Sequence, residues 1–347
     1  MGKRINILTF HKALNYGAVM QAYALSQVCR NLGFEVKMVN LEWSDFLLLR
    51  IKKAWHFWRF RTKYLPPNTT GVIKHLKDFD SNKDLIADYW IVGSDQVWNL
   101  DITGEMYPAF FFHFVTQGEK ISYAASLGVD IWKWDTQYTN EIKNYLTHFK
   151  AISVRESSGI DLCKCHLGIS AENVLDPTLL LNDYSEIIGK SKGIKEEVVS
   201  YKFLKSSRYY SVIDEIRKEL GLNRVKELSS IKPRLSKNTY FPIQISVSSW
   251  LKSIRDAKFV VTDSFHGVCF CIIFEKEFIY IPGAQERANR IIDLLTLLGL
   301  DHRVFKSIEQ VLESNTWKEP ISYERVREKL QLARNHSLNF LKTNLNV

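Results

Sequence analysis

His266 and Gly267 are the residues whose types and spacing most clearly suggest chemistry in this sequence. An imidazole can accept or donate a proton near neutral pH, and a neighbouring glycine lets a ligand approach the backbone closely. A histidine that only hydrogen-bonds within its own turn is the alternative. The choice between these readings depends on the elements that hold the pair.

A strand and a helix are predicted on either side of this pair. Residues 258–262, KFVVT, are too few for a helix and mostly apolar, so they predict a buried strand. Asp263 or Ser264 can cap the helix that the apolar residues 268–274 predict. The pair would then lie where a helix begins with unpaired N–H groups and a partial positive charge. Anions bind at this position in α/β proteins.

The amino-terminal region predicts the start of a parallel sheet. A strand at 5–10, a helix at 18–32 that stops at Gly33 and a strand at 34–39 form one strand-helix-strand unit. The loop between the first strand and the helix would lie on the ligand side of such a sheet. Its candidates for contacting a sugar or phosphate are Asn15, Tyr16 and Gly17, although Asn and Gly also favour plain turns.

Polar residues follow three further predicted strands, at 88–92, 120–125 and 151–154. The carboxyl ends of parallel strands share one edge, so these residues predict a site along it. After the last of these strands, Arg155 could hold a carboxylate or phosphate through two hydrogen bonds. A salt bridge to Glu156 or another acid is the alternative. The cluster 93–99, GSDQVWN, contributes Asp95 as a candidate base and Trp98 as a candidate acceptor contact.

The second half of the chain repeats the strand and helix pattern after a polar linker at 189–197. We expect an amino-terminal domain at 1–188, a carboxyl-terminal domain at 189–320 and a final helix at 321–347. Arg287 and Arg290 stand just before a predicted amphipathic helix at 291–298, against the helix-dipole preference for acids. We therefore predict that they bind an anion.

Composition limits the class of protein. The chain has 347 residues, 46% of them apolar and 24% charged, which is typical of a folded protein with two domains. No stretch approaches the roughly 18 apolar residues of a membrane span, and we expect a cytoplasmic protein. Five cysteines, an odd number, argue against a disulfide framework. Cys163, Cys165 and His166 lack a second pair at zinc-finger spacing, so we expect no metal.

The net charge of +9 is concentrated in residues 45–64, DFLLLRIKKAWHFWRFRTKY. Six cations and one acid give this segment 6 − 1 = +5. A membrane-surface helix is one interpretation, in which cations reach lipid phosphates and aromatic rings lie among the headgroups. A core helix with a solvated basic face and an RNA-binding patch are the alternatives. We favour the membrane surface, and expect no nucleic-acid partner, because no recognisable RNA-binding motif accompanies the segment.

Six sequence blocks, taken in order, resemble the polysaccharide pyruvyl transferase family. A single block is only weakly specific for the family, but the six blocks in this order are strong evidence for it. Together they extend over most of the chain. Residues 45–64 and the tail after about 306 are not covered. The blocks are TFHKALNYGAVMQAYAL (9–25), WIVGSDQVWN (90–99), ISYAASLG (121–128), ISVRE (152–156), LDPTLLL (175–181) and VVTDSFHGVCFCIIF (260–274).

The resemblance implies an α/β fold of two Rossmann-like domains facing a cleft, as in GT-B glycosyltransferases. It implies transfer of the pyruvate unit of phosphoenolpyruvate to two hydroxyls of a sugar, forming a cyclic ketal. The family histidine falls on His266, and the family's basic residues correspond to Arg155 and to Arg287 or Arg290. Ser264 and Phe265 stand where many members have Arg and Leu, so one expected arginine is absent.

Ketal formation from this donor requires cations for its carboxylate and phosphate, a base for a sugar hydroxyl and an acid for the methylene carbon. We assign donor binding to Arg155, Ser264, Gly267, Arg287 and Arg290, and proton transfer or phosphate contact to His266, with Asp95 as the alternative base. No nucleotide or metal is needed. The expected acceptor is a sugar on a polyprenyl-diphosphate-linked oligosaccharide, reached by a protein peripheral on the cytoplasmic membrane. The alternatives are a GT-B glycosyltransferase that uses a nucleotide sugar and a non-catalytic glycan- or lipid-binding protein.

Overall fold

The computed structural model describes residues 2–42, 51–80, 82, 85–202, 208–228, 239–240, 245–283 and 288–347. The chain divides into two compact units. Unit 1 comprises Met1–Leu181 and Leu332–Val347, and unit 2 comprises Asn182–Gln331. The predicted boundary at 188/189 lies a few residues after this division. The final helix, expected at 321–347, is observed at Tyr323–Leu345; it begins in unit 2 and ends in unit 1.

Unit 1 contains a six-stranded sheet in the order β2-β1-β3-β4-β5-β6, and its paired strands are all parallel. Apolar side chains of these strands are buried on both faces, as a parallel sheet covered by helices requires. The strands are β1 (Arg4–Leu8), β2 (Glu35–Met38), β3 (Tyr89–Val92), β4 (Glu119–Ala125), β5 (Phe149–Val154) and β6 (Glu172–Asn173).

Three helices of unit 1 begin at side chains that cap them. Asn15, Asn99 and Asp135 each accept a backbone N–H from the first turn of the helix that follows. The helices are α1 (Tyr16–Asn31), α2 (Ile51–Tyr64), α3 (Leu100–Thr103), α4 (Thr136–Leu146) and α5 (Ser157–Leu162). Short 3₁₀ or π turns cover Leu76–Asp78, Gly104–Phe111, Cys163–Leu167 and Pro177–Leu180.

Within its described residues, unit 2 contains a five-stranded sheet in the order β11-β10-β7-β8-β9, again with parallel pairing. Its strands are β7 (Lys195–Tyr201), β8 (Arg224–Glu227), β9 (Thr239–Tyr240), β10 (Ala257–Thr262) and β11 (Glu277–Tyr280). Its helices are α6 (Ser185–Ile188), α7 (Tyr209–Glu219), α8 (Val247–Asp256), α9 (Phe265–Ile273), α10 (Asn289–Leu298), α11 (Ile308–Glu313) and the start of α12 (Tyr323–Leu345). Two 3₁₀ turns cover Asp301–Arg303 and Thr316–Lys318.

Each sheet has one point where the strand order reverses. In unit 1 the chain passes from β1 to β2 on one side and then to β3 on the other. In unit 2 it passes from β7 to β8 and β9, and then to β10 on the opposite side of β7. Loops that leave adjacent strands in opposite directions open a crevice at the carboxyl edge, which is where doubly wound folds bind ligands. A ligand site is therefore expected at these two points.

Candidate functional site

His266 lies beside the reversal point of unit 2, in the first turn of α9 directly after β10. Ser264 caps this helix, since its Oγ accepts the N–H of Gly267 at 3.3 Å. Ser264 in turn donates its own N–H to Thr262 Oγ1 at 3.0 Å, which fixes the turn from strand to helix. His266 is buried in this turn. The sequence prediction of a strand, a cap and a helix around the histidine is confirmed in its order and position.

Gly267 is required by packing against the strand. A Cβ atom at this position would lie 2.5 Å from Thr262 Oγ1 and 3.2 Å from Ser264 Cβ. The sequence argument explained this glycine by the approach of a ligand, whereas here the close neighbour is the protein's own strand end. Because the Gly267 N–H donates to Ser264 Oγ, this N–H is already used within the turn in this structure.

Lys202, which the sequence argument missed, follows β7 on the other side of the same reversal point. Its Nζ lies 3.4 Å from Asp263 Oδ2 and donates to the carbonyl oxygens of Ile281 at 2.8 Å and Pro282 at 3.3 Å. The Lys202 and Asp263 side chains are only 6% and 3% exposed. Lys202 thus joins the carboxyl ends of β7, β10 and β11. The signal for it was a single lysine directly after the apolar strand sequence VVSY.

Arg290 shares an aromatic neighbour with His266. The Phe265 ring lies edge-on to the His266 ring at 5.3 Å, and the Arg290 guanidinium carbon lies 5.9 Å from the Phe265 centroid. Burial raises the pKa of Tyr280, Asp263 raises it further and Arg290 opposes the rise, which locates both charges near that hydroxyl. Imidazole, guanidinium and the start of α9 therefore occupy one edge of unit 2. Arg287 lies outside the described residues.

Arg155 in unit 1 is surrounded by carboxylates. Its guanidinium lies 3.1 Å from Asp176, 3.6 Å from Asp95 and 4.0 Å from Glu156, and it is buried. Burial opposes the charged form, but the three acids outweigh burial and raise the pKa of Arg155. Arg155 therefore forms salt bridges within unit 1, which was the alternative to anion binding in the sequence analysis. An incoming anion would have to compete with all three carboxylates for this guanidinium.

Asp95 is the most exposed acid of this cluster, and it follows β3 at the reversal point of unit 1. Its backbone is left-handed (φ 78°), a conformation that Asp tolerates better than most residues. Oδ1 accepts the N–H of Gln96 at 2.9 Å and faces Arg155. Among the residues that the structure describes, these contacts use Oδ1 only, which leaves Oδ2 to accept a proton from a hydroxyl.

Gln21, a second residue that sequence reasoning missed, holds the loops at this reversal point together. From α1, its amide donates to Thr9 Oγ1 at 2.7 Å and accepts the N–H of Ser94 at 3.0 Å. Thr9 Oγ1 also donates to the carbonyl of Ser94 at 3.0 Å. The loop that carries Asp95 is therefore fixed to the end of β1. No local sequence pattern distinguishes this glutamine from a surface one.

The predicted acceptor contacts Asn15, Tyr16 and Gly17 differ in their exposure to solvent. Asn15 is exposed, and its Oδ1 accepts the N–H groups of Gly17 at 2.9 Å and Ala18 at 3.3 Å as the cap of α1. Tyr16 and Gly17 are buried, and the Tyr16 ring lies 5.2 Å from that of Phe57.

The prediction that Trp98 contacts the acceptor does not agree with the structure. The side chain is 0% exposed and lies in the hydrophobic core of unit 1. Its Nε1 donates to Phe110 O at 3.1 Å, and its ring stacks on Phe111 at 5.3 Å. The ring therefore belongs to the hydrophobic core of unit 1.

Within the described ranges, no group of three or more His, Cys, Asp or Glu side chains is arranged to hold a metal ion. Cys163 is buried, Cys165 is exposed, and the His166 ring stacks on Trp132 at 5.3 Å. The remaining cysteines, Cys29, Cys269 and Cys271, are buried.

The fold is of the GT-B-like α/β class found in nucleotide-sugar epimerases and glycosyltransferases. UDP-GlcNAc 2-epimerase from Neisseria meningitidis bound to UDP-GlcNAc matches with a TM-score of 0.60 and 8% identity, covering 99% of each chain. UGT89C1 from Arabidopsis thaliana complexed with UDP matches with a TM-score of 0.56 and 9% identity, over 99% of this chain and 100% of that one. The S. aureus MnaA-UDP structure matches with a TM-score of 0.54 and 11% identity, over 100% and 97%. At these identities the likeness concerns the fold alone.

Residues 15–283 match the family model of polysaccharide pyruvyl transferase. The chain belongs to this family, as the ordered sequence blocks indicated, and it is a transferase of polysaccharide biosynthesis. No curated protein matches the sequence.

Proposed function

We propose that this protein transfers the pyruvate unit of phosphoenolpyruvate to two hydroxyls of a sugar in a polysaccharide repeat unit, forming a cyclic ketal and releasing phosphate. Family membership supports the reaction class. The observation that carries the proposal is the position of His266, in the first turn of a helix at the reversal point of its sheet. A proton-transfer group there stands where anions bind.

Recognition of the donor is assigned to this edge of unit 2. Phosphoenolpyruvate carries a carboxylate and a phosphate, which need cations and N–H groups. Arg290 supplies a guanidinium that shares the Phe265 ring with His266, and α9 supplies its N-terminal charge. Arg287, three residues earlier in the sequence, is proposed as a second cation. Lys202 acts as a positioning residue, because its ammonium already meets three acceptors.

The chemistry balances without a further reactant. One sugar hydroxyl adds to C2 of the donor while the methylene carbon gains a proton and becomes a methyl group. The second hydroxyl then replaces phosphate at C2: the bond from C2 to the phosphate oxygen breaks, the second bond from C2 to a sugar oxygen forms, and phosphate leaves. Of the two hydroxyl protons, the balance places one on the methyl group and one on phosphate or solvent. His266 is the proposed proton-transfer residue.

Asp95 is the alternative base, and its surroundings suit that role. A carboxylate with one oxygen held by Arg155 and Gln96 can present the other to a hydroxyl in a fixed direction. Arg155 is then a positioning residue for Asp95, in place of the donor-binding role that the resemblance implied. Variants of His266 and of Asp95 distinguish the two assignments.

The acceptor is proposed to be a lipid-linked oligosaccharide, which places the protein at the inner face of the cytoplasmic membrane. The basic and aromatic helix α2 supports this location. In the described part of the chain, no helix has the length and apolar character needed to cross a bilayer.

Incubation with separate donors tests the reaction. The purified protein is mixed with a polyprenyl-linked galactose- or mannose-containing oligosaccharide and either phosphoenolpyruvate or a UDP-sugar. We expect phosphate release and an acceptor mass increased by pyruvic acid less water, with the first donor only. UDP release with sugar transfer would instead support a nucleotide-sugar glycosyltransferase, the activity class of several structural neighbours. Acceptor binding without turnover would support a non-catalytic protein.

A further inference from the structure

Helix α2 presents two tryptophans to solvent. Trp55 is 50% exposed and Trp58 is 55% exposed, and they are the exposed tryptophans of the described chain. Residues three apart on a helix are neighbours on its surface, so the two indoles form one patch. Arg59 and Lys63, which continue this face by one turn, are exposed as well. We call Trp55, Trp58, Arg59 and Lys63 the α2 patch.

The opposite face of α2 packs against the rest of unit 1. Phe57 and Phe60 are buried, with their rings 5.2 Å from Tyr16 and 6.2 Å from Tyr23 of α1. Arg61 donates to the carbonyl of Lys12 at 3.3 Å. The membrane-surface interpretation placed all the aromatic rings of this segment, including Phe57 and Phe60, among the lipid headgroups. The structure corrects this for Phe57 and Phe60, because helical spacing turns them toward α1. Packing of that face fixes the orientation of the α2 patch.

Charge and ring geometry identify the partner. The residues of α2, Ile51–Tyr64, include five cations and no acid, so the helix attracts an anionic surface. The Arg59 guanidinium lies over the Trp55 ring, 5.5 Å from its centroid. A ring face covered by a cation is a poor platform for stacking a nucleic-acid base, whereas an indole with an adjacent cation is suited to the headgroup region of a bilayer.

We propose that the α2 patch docks unit 1 on a membrane rich in anionic lipid, with the two indoles at headgroup depth and Arg59 and Lys63 on lipid phosphates. The helix lies on the surface and does not span it. Because its inner face is held by α1, the helix is ordered before binding and loses little conformational entropy on docking. This proposal concerns membrane contact only and does not depend on the reaction.

Vesicle co-sedimentation of the full chain tests the proposal, without donor or acceptor. We expect binding to vesicles of phosphatidylcholine mixed with phosphatidylglycerol and little binding to pure phosphatidylcholine. Trp55→Ser with Trp58→Ser should weaken binding about tenfold or more, since both interfacial anchors are lost. Arg59→Gln with Lys63→Gln should weaken it by about fivefold for each charge removed. The matched control is Ile131→Ser with Lys164→Gln, an exposed apolar residue and an exposed cation of unit 1 outside α2.

Three outcomes would overturn the proposal: equal binding of all variants, no dependence on anionic lipid, or binding of single-stranded RNA with none to vesicles. Tryptophan emission gives an independent readout, because the wild type should shift to shorter wavelength with anionic vesicles and the Trp55→Ser, Trp58→Ser protein should not. Ketal formation on a water-soluble acceptor should be unchanged in these variants. A failure of membrane docking is thereby distinguished from a failure of the proposed reaction.

Discussion

Single residues at the two reversal points differ in their surroundings. Lys202 and Arg155 are both buried cations, and each is already engaged with acceptors of its own unit. Arg290 and His266 lie against one aromatic ring at the start of α9. Formal charge alone therefore does not identify the anion-binding group, and the chemistry is assigned to residues beside the helix start.

His266→Ala should reduce ketal formation by about 100-fold or more, because proton transfer to or from a reacting group contributes on this scale. The measurement is phosphate release with phosphoenolpyruvate and a defined acceptor, alongside circular dichroism to verify the fold. His148→Ala, at an exposed position of unit 1, is the matched control and should retain full activity. Full activity of His266→Ala would reject the assigned role.

Asp95→Asn should lower kcat by about 100-fold or more if Asp95 is the base, with a smaller effect on KM for the donor. The control is Asp101→Asn, at an exposed aspartate later in the same region of the chain, and it should change neither kcat nor KM. A rise in KM for phosphoenolpyruvate with kcat unchanged would contradict the role of base. Such a result would instead support a role in donor binding for the cluster around Arg155.

At the scale of elements, the strand ends of unit 2 are held together by one ammonium. Lys202 follows β7, Asp263 follows β10, and the carbonyls of Ile281 and Pro282 follow β11. A charge this deeply buried is stable only with its partner, since removal of either leaves the other uncompensated. The geometry of the His266 turn therefore depends on the Lys202–Asp263 pair.

Lys202→Met should lower the free energy of unfolding by about 3 kcal/mol, because the Asp263 carboxylate stays buried without its cation. Lys202→Met with Asp263→Asn should cost less than the sum of the two single changes. Urea unfolding of the four proteins gives this cycle. Strictly additive costs would show that the two side chains do not interact in solution.

Local elements of this fold could be predicted from the sequence, and its long-range contacts could not. The turn from β10 into α9 was predictable because strand, cap and helix signals stand within a few residues of His266. The role of Lys202 depends on β7 pairing with β10, more than 50 residues away, which no local pattern encodes. Trp98 was misassigned because an aromatic residue after a strand gives the same signal whether its ring faces solvent or the core.

At the scale of the whole molecule, stability should depend on a buried histidine outside the proposed chemistry. His11 hydrogen-bonds Thr9 O through Nδ1, and its Nε2 lies 3.2 Å from Asn68 Oδ1. Its pKa is lowered from 6.5 to about 4, mainly by burial and also by the cations of Lys12 and Arg61, while the hydrogen bonds to Thr9 and Asn68 oppose the shift. The native state therefore keeps this imidazole neutral under conditions in which the unfolded chain protonates it.

The stability due to neutral His11 is fully present above pH 6.5 and is lost as the pH falls from 6.5 to about 4. We expect this loss to reach about 3 kcal/mol, from the size of the shift. His11→Gln should flatten the decline in that range, while acid unfolding due to carboxylates persists in both proteins. Urea unfolding across the range measures this, and equal slopes for the two proteins would contradict the prediction.

Isotope incorporation tests the reaction most directly. The wild-type protein is incubated in D₂O with phosphoenolpyruvate and a lipid-linked oligosaccharide, and the product is analysed by mass spectrometry and NMR. The account predicts one deuterium in the methyl group of a cyclic pyruvate ketal and one phosphate released per ketal. A product that carries a transferred sugar, or a phosphoenolpyruvate adduct that retains its phosphate, would contradict it.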